Sequence, residues 1–349
     1  MTHKTLLKPF IMKKNRVLLL FVMAMPFAVA AQDFDQLLQG SAADAKYLAS
    51  GYITPAMRAF GYGMNNGWVN TAKPHKIAGF DLTISANPVF VPTADKLFQV
   101  DNSKMSSLEL VTDVDGKTPV GGKGNIATVF GTDNSKAQLR LKNDPTASTF
   151  SSPNGINYGI LPVPTVHLGF GLPKGFDLKV RFLPQLKFGS GNTKGTIGLW
   201  GIGVMHDFKQ WIPGMKALPF DLSGFVGYTK MSTKVPIDEG GPDGKGEFAC
   251  SATTIQVIIS KKLSVLTPYA SVGYNMAKTT LDVKGKYDLN DNGSTADAGE
   301  TNPFSLGVKS NGPRLTGGIR LKFGPIAFHG DYTLAKYKSA SVGFGINIR

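Results

Sequence analysis

Apolar and polar residues alternate with a period of two along most of the chain beyond residue 76. Phe80, Leu82, Ile84 and Ala86 alternate with Asp81, Thr83, Ser85 and Asn87, and Phe176, Leu178, Val180 and Phe182 with Asp177, Lys179 and Arg181. The pattern returns at Leu315, Ile319, Leu321 and Phe323, at Ile326, Phe328, Tyr332 and Leu334, and at Val342, Phe344, Ile346 and Ile348. Side chains on a strand point alternately to opposite faces, so each segment predicts a strand with one apolar and one polar face. Thirteen such segments can be drawn, at about 77–90, 105–112, 118–130, 136–142, 156–171, 176–188, 195–208, 219–230, 248–260, 263–283, 303–323, 325–336 and 338–348. Bacterial membrane barrels close on even numbers, so a barrel of about 12–14 strands is expected, with one segment misread.

Alternation alone leaves two architectures open. In a soluble sandwich the apolar faces meet in a core, whereas in a membrane barrel they meet lipid and the polar faces line a lumen. Three features favour an all-β transmembrane antiparallel barrel. Several segments reach ten residues or more, against about 5–6 for soluble strands and about 9–11 for a tilted bilayer span. Connectors are tight at Gly324-Pro325 and 335–339, but long and polar at 230–247 and 284–302. Aromatic residues gather near strand ends, at Tyr158, Phe188, Tyr228, Tyr269, Tyr287 and Tyr337 with Trp200 and Trp211, as interfacial girdles would place them.

Residues 31–75 follow a different period. Phe34, Leu37, Leu38, Ala42, Ala45 and Leu48 sit at near-helical spacing, so one or two short helices are expected, broken at 51–57 and followed by a Gly- and aromatic-rich irregular stretch at 61–68. A piece this small buries little core of its own. It is therefore expected to plug the barrel, with Tyr52, Pro55, Met57, Tyr62 and Trp68 facing its surroundings as an N-terminal hatch, and with residues 76–349 forming the barrel. Residues 1–30 read as a secretory signal peptide: Lys13, Lys14 and Arg16, an apolar run from Val17, and Ala28-Val29-Ala30 before the cleavage point. The apolar run is too short for a transmembrane helix.

Export changes the reading of charge. The formal net charge is +14, and removal of Lys4, Lys8, Lys13, Lys14 and Arg16 with the leader lowers it to +9. An exported chain without a stripe of basic and aromatic residues gives no reason to expect nucleic acid. Outer-membrane lipids and lipopolysaccharide are the expected partners of the basic surface, with a hydrophobic small molecule as ligand, and the barrel is expected to be a monomer in the outer membrane of a Gram-negative bacterium. One cysteine, Cys250, excludes a disulfide scaffold or a Cys-based zinc site.

Candidate chemistry is sparse. Asp288, Asn290 and Asn292 with Gly293 resemble the first half of a calcium loop, but the twelfth position is Gly299 and Glu300 comes one place late, so an acidic surface loop explains them as well. His329 and Asp331 share a strand face, yet no serine lies in a nucleophile elbow and His206 and Asp207 point to opposite faces. Gly121-Gly122-Lys123-Gly124 lacks the helix a phosphate loop requires. No enzyme and no cofactor is expected. Lys179, Arg181, Arg314, Arg320 and Lys322, with His329 and Asp331, fall on polar faces and hence in the lumen of a barrel. There they either form a pathway for an anionic group or pair with Asp81, Asp177, Asp331 and the hatch.

The segments Tyr52-Ile53-Thr54-Pro55-Ala56, Gly67 to Lys76, Gly79-Phe80-Asp81-Leu82, His206 to Gly214 and the final strand Gly343 to Arg349 resemble an uncharacterised outer-membrane barrel family of Bacteroidota. In plan, hatch first and barrel after, the chain is distantly similar to the long-chain fatty-acid transporter barrels. It departs from them in having Thr54-Pro55-Ala56 where they carry Asn-Pro-Ala, and in ending on Arg349 rather than an aromatic residue. The resemblance implies passive transport of hydrophobic or amphipathic small molecules, gated by the hatch. The alternative it leaves open is a receptor or accessory barrel in protein export or cell-surface assembly.

Overall fold

The computed structural model describes residues 41–348, apart from 143–145, 147, 190–193, 238–240, 242, 288–293 and 296–299. The expected signal peptide at 1–30 and the candidate calcium half-loop at Asp288, Asn290 and Asn292 lie outside the described residues.

Long alternating strands dominate. In chain order they are β1 (Phe80–Phe90), β2 (Leu97–Asp101), β3 (Leu108–Thr112), β4 (Lys123–Ala127), β5 (Gln138–Leu141), β6 (Phe150–Ser151), β7 (Ile160–Leu172), β8 (Phe176–Phe188), β9 (Gly195–Asp207), β10 (Asp221–Pro236), β11 (Lys245–Ser260), β12 (Leu266–Lys284), β13 (Phe304–Lys309), β14 (Gly312–Phe323), β15 (Ile326–Leu334) and β16 (Lys338–Ile348). Among the described residues one α-helix, α1 (Ala42–Met64), precedes them. Antiparallel pairing runs β1–β7–β8–β9–β10–β11–β12–β14–β15–β16 and returns from β16 to β1, so the sheet closes on itself. β13 and β14 follow one another along β12 as a single interrupted strand, which makes a closed barrel of 10 strands.

The wall is smaller than the expected 12–14 strands because three of the alternating segments never join it. Residues 91–159 leave the wall between β1 and β7 and fold into two small sheets, β2–β4 and β3–β5–β6. Their apolar faces (Val100, Leu108, Leu110, Ile126) pack on α1 rather than on lipid. Short strands with one buried face look alike in sequence whatever covers them.

Side-chain orientation identifies the barrel's solvent. Outward positions carry Leu82, Ile84, Val166, Leu168, Ile202, Val204, Val226, Ile255, Val257, Leu315, Ile319, Phe344 and Ile346, all exposed. Inward positions on the same strands carry buried Asp81, Thr83, Ser85, His167, Lys179, Arg181, Thr254, Gln256, Arg314, Thr316 and Arg320. A continuous apolar belt outside and a polar lining inside is the arrangement of a transmembrane barrel. Trp200, Tyr228, Tyr274 and Tyr332 edge this belt, with Trp200 and Tyr228 in contact at 5.3 Å. Lys230, Lys278 and Lys338 stand just beyond them. Four of the expected girdle residues are elsewhere: Tyr269, Tyr287 and Tyr337 are buried, and Phe188 packs against the apolar cluster inside the barrel. Tyr269 turns inward to Asp331, and Tyr337 stacks on Tyr62.

Two rims result. The turn rim, where β1 starts and β16 ends, carries the connections 173–175, 261–265 and 324–325 and the longer 208–220. At the loop rim β1 leads into the small sheets, and there β8, β10 and β12 end and β9, β11 and β13 follow them in the chain. The tight turn at 335–337 also lies on the loop rim, so connector length separates the rims less cleanly than the sequence implies.

Candidate functional site

α1 enters at the loop rim and runs down the inside of the barrel, and residues 65–79 continue to the turn rim, where β1 begins. The helix is continuous through 51–57, contrary to the expected break. Its small residues explain how it fits: a Cβ on Gly51 would fall 2.3 Å from the Phe98 ring, and one on Gly63 would fall 2.5 Å from Val163. Close approach to wall and lobe outweighs the intrinsic helix cost of Gly and Pro55. Ser41 caps the N-terminus, and Asp44 accepts from the backbone N–H groups of Ser106, Ser107 and Leu108 at 2.7–2.8 Å. Burial pushes the Asp44 carboxyl up, but these donors outweigh it and hold the pKa below the ordinary value of 3.8.

The lumen has two zones. Toward the loop rim, Leu161, Val163, Ile197, Leu199, Met231, Phe248 and Cys250 point inward and join α1 in one apolar cluster. Leu48, Met57, Phe60 and Met64 of the helix are fully or almost fully buried there. Four such side chains are worth roughly 6–12 kcal/mol relative to water, so the helix does not leave the lumen as a casual step.

Toward the turn rim the lining is polar. Arg181 donates to the carbonyl of Met64 at 2.9 Å, to the carbonyl of Asn66 and to Thr229 Oγ1 at 3.3 Å, with its guanidinium 3.7 Å from the Trp68 ring centroid. Arg314 donates to the Asn65 carbonyl at 3.0 Å and to Asn275, Thr316 and Thr333. The last turn of α1 contains no basic residue of its own, so two wall arginines satisfy the carbonyls and the negative end of the helix dipole. Further down, Lys179 stands 3.5 Å from Asp81, and His75 Nδ1 2.7 Å from Asp177, while His167 faces Asp81 at 3.4 Å.

Every lumen residue expected from the sequence faces inward. Lys322 donates to Asn347 at 2.7 Å, His329 meets Ser85 at 3.3 Å, Asp331 accepts from Tyr269 at 2.8 Å, and Arg320 is buried. They are engaged by wall neighbours and by the luminal segment rather than left lining an open path. The hatch residues are buried too: Tyr52 donates to Asn154, the Met57 carbonyl accepts from Thr279, Pro55 lies inside α1, and Trp68 sits between Arg181 and Phe225. Sequence reasoning missed His75 and His167 as members of the polar zone. His167 occupies an inward position on an alternating strand, and that was the available signal. Among the described residues no group of three or more His, Cys, Asp or Glu could hold a metal ion.

Among the described residues the wall has one seam. β7 and β8 pair only from His167 to Leu172 against Phe176 to Arg181, and above that point Ile160–Val166 and Phe182–Phe188 run unpaired with each other. Proline placement explains why. β1 and β7 pair without interruption through Pro88–Pro162 and Ala86–Pro164, which requires the ring nitrogens to face away from that pair. The β1–β16 pairing skips Pro88, as expected if its nitrogen faces β16. Pro162 and Pro164 therefore face β8 and offer it no N–H, while Pro184 sits in an irregular stretch of β8 between Leu183 and Leu186. Phe182, 66% exposed, and Val166, 38%, flank the seam on the lipid side, and Leu161, Val163, Leu183 and Phe188 lie behind it in the apolar zone.

Residues 12–348 match the family of unknown function DUF6588. The chain belongs to that family. No curated protein matches it in sequence. Among solved structures, this DUF6588 member is similar to the translocator domain of the autotransporter NalP from Neisseria meningitidis, at 11% identity over 88% of this chain and 98% of that one, with a TM-score of 0.31. It is also similar to the toluene transporter TodX of Pseudomonas putida, at 10% identity over 84% and 75% and a TM-score of 0.23. At scores of this size the likenesses carry no weight beside the strand pairing of the chain itself.

Proposed function

We propose that this protein is an outer-membrane barrel that passes apolar or amphipathic small molecules between the bilayer and its lumen by way of the β7–β8 seam. The observation that carries the reading is the coincidence of the unpaired strand edges with the apolar half of the lumen. A molecule entering there meets lipid-like side chains on both sides, and the missing N–H groups at Pro162 and Pro164 lower the polar barrier it must cross. No energy source is needed. Leu183 and Phe188 close the route, and their rotation opens it, while α1 stays held by Arg181 and Arg314. Lys230, Lys278 and Lys338, beyond the aromatic edge, face the headgroup phosphates of lipid or lipopolysaccharide.

The filled lumen favours a second reading, a receptor or accessory barrel that passes nothing and presents the 91–159 lobe at the loop rim. Val166→Cys and Phe182→Cys, introduced together in a Cys250→Ala background, separate the two. Cells whose outer membrane carries this variant are expected to take up N-phenyl-1-naphthylamine several-fold faster reduced than oxidised. Uptake that exceeds that of cells lacking the protein but ignores oxidation would sink the lateral route. Uptake no faster than in cells without the protein would leave the receptor reading.

A further inference from the structure

Connections at the turn rim are short where they only reverse the chain: three residues at 173–175, five at 261–265 and two at 324–325. The β9–β10 connection takes thirteen, 208–220, more than either the wall or the seam requires. It contains no acid and six large apolar residues, Phe208, Trp211, Ile212, Met215, Leu218 and Phe220. Its own polar groups hold it as an arch. The Trp211 N–H donates to the Phe208 carbonyl at 3.0 Å and that of Leu218 to Met215 at 3.1 Å, and Gly214 turns the chain at a φ of +78°. The Lys209 ammonium folds under the arch onto the carbonyls of Leu218 and Phe220, and Gln210 donates to the carbonyls of Lys174 and Asp207, both at 2.8 Å. These two polar side chains are spent within the protein, whereas Trp211 is 66% exposed and Leu218 41%.

Strand parity fixes the side on which the arch leans. His206 shares the outward face of β9 with Ile202 and Val204, and Gly224 shares that of β10 with Val226. The Trp211 indole N–H donates to His206 Nε2 at 2.9 Å, and Phe176 stacks on the same imidazole with centroids 4.0 Å apart. A Cβ on Gly224 would fall 3.6 Å from the Phe208 ring. The arch therefore continues the apolar belt beyond the ends of β8, β9 and β10 instead of folding over the lumen. With its one side-chain N–H already bonded, the indole enters an apolar boundary without stranding a donor.

We infer that the 208–220 arch is seated in the phospholipid leaflet at the turn rim, with Trp211 and Leu218 at the boundary between headgroups and acyl chains. Transmembrane barrels turn their short connections to the periplasm, so the leaflet is the periplasmic one. Tryptophan is enriched at that depth, where an apolar ring lies beside polar headgroups. The arch thereby fixes the height of the β8–β10 sector in the bilayer, and this does not depend on whether the seam passes apolar molecules.

The chain has three tryptophans, so Trp68→Phe with Trp200→Phe leaves Trp211 as the single indole. This variant in proteoliposomes of dioleoyl-phosphatidylcholine, or of its 6,7-dibromo or 11,12-dibromo analogue, tests the seating. Bromine quenches indole only at short range, and both leaflets carry the same lipid, so the direction of insertion does not matter. Trp211 emission is expected to fall about twofold or more in the 6,7-dibromo lipid, and less in the 11,12-dibromo lipid, as for a ring near the interface. The corresponding variant that keeps only Trp68, inside the lumen, is expected to be unaffected. Where loss of Trp68 disturbs folding, the parent is compared with Trp211→Phe alone, and the fraction of emission quenched by the 6,7-dibromo lipid should drop. Trp211 emission equal in all three lipids, or a quenched fraction unchanged by Trp211→Phe, would overturn the inference and leave the arch to a water-borne partner. Stronger quenching by the 11,12-dibromo lipid would also overturn it, by placing the arch in the acyl core.

Discussion

Arg181 stands on an inward position of β8, fully buried, with its guanidinium over Trp68 and its nitrogens on carbonyls at the end of α1. A buried arginine is costly unless its donors are used, and here a planar fork meets groups that a helix terminus leaves without partners. Arg181→Met removes the fork and strands the carbonyls of Met64 and Asn66 in the lumen. A loss of about 3 kcal/mol is expected, as for breaking one side of a buried charged contact. The check is the urea midpoint in detergent together with a red shift of Trp emission as Trp68 gains water; Arg181→Lys should recover only part. An unchanged midpoint would mean that the wall does not hold the helix here. The inward placement of Arg181 and Arg314 was legible from alternation. Their partners were not, since they lie more than a hundred residues away in sequence.

At the scale of elements, wall strands were the most legible feature, because a period of two survives whatever lies on either side. α1 was read as broken, since Gly51 and Pro55 are poor helix residues by themselves, and only Phe98 and Val163 show why small residues belong there. The seam was hidden for a similar reason. Leu161-Pro162-Val163-Pro164 alternates well enough to pass as an ordinary strand, and the direction of each proline nitrogen depends on the register with β1. Pro162→Val with Pro164→Val returns two ladder donors at about 1 kcal/mol each. The variant should unfold at a higher urea concentration and take up N-phenyl-1-naphthylamine more slowly. A midpoint and an uptake rate both equal to those of the parent would show that the prolines do not keep the seam apart.

Across the whole molecule, the luminal helix is fastened at both ends, to wall arginines below and to the 91–159 lobe above. Asp44 is the upper fastening. Its pKa is lowered in the folded state, so its contribution is fully present above the unfolded value near 3.9 and fades as pH falls through the folded one. Asp44→Ala should cost about 3 kcal/mol at neutral pH, since three backbone donors lose a charged acceptor. The gap between parent and variant unfolding temperatures should stay flat from pH 8 to about 5 and narrow below about 4. A gap that widened in acid would contradict the assignment.

The sequence by itself determined that most of the chain runs as strands with one greasy and one polar face, because side-chain direction on a strand is a local property. It also determined which charges share the polar face, by the same parity, while the closing of the barrel put that face inside. Tertiary structure alone decided that ten strands close the circle, that one lobe leaves it, that a helix fills half the lumen, and that β7 and β8 part above Arg181. Each of these depends on which distant segments meet and in what register, and a period of two looks the same beside lipid, beside a helix or beside an empty edge.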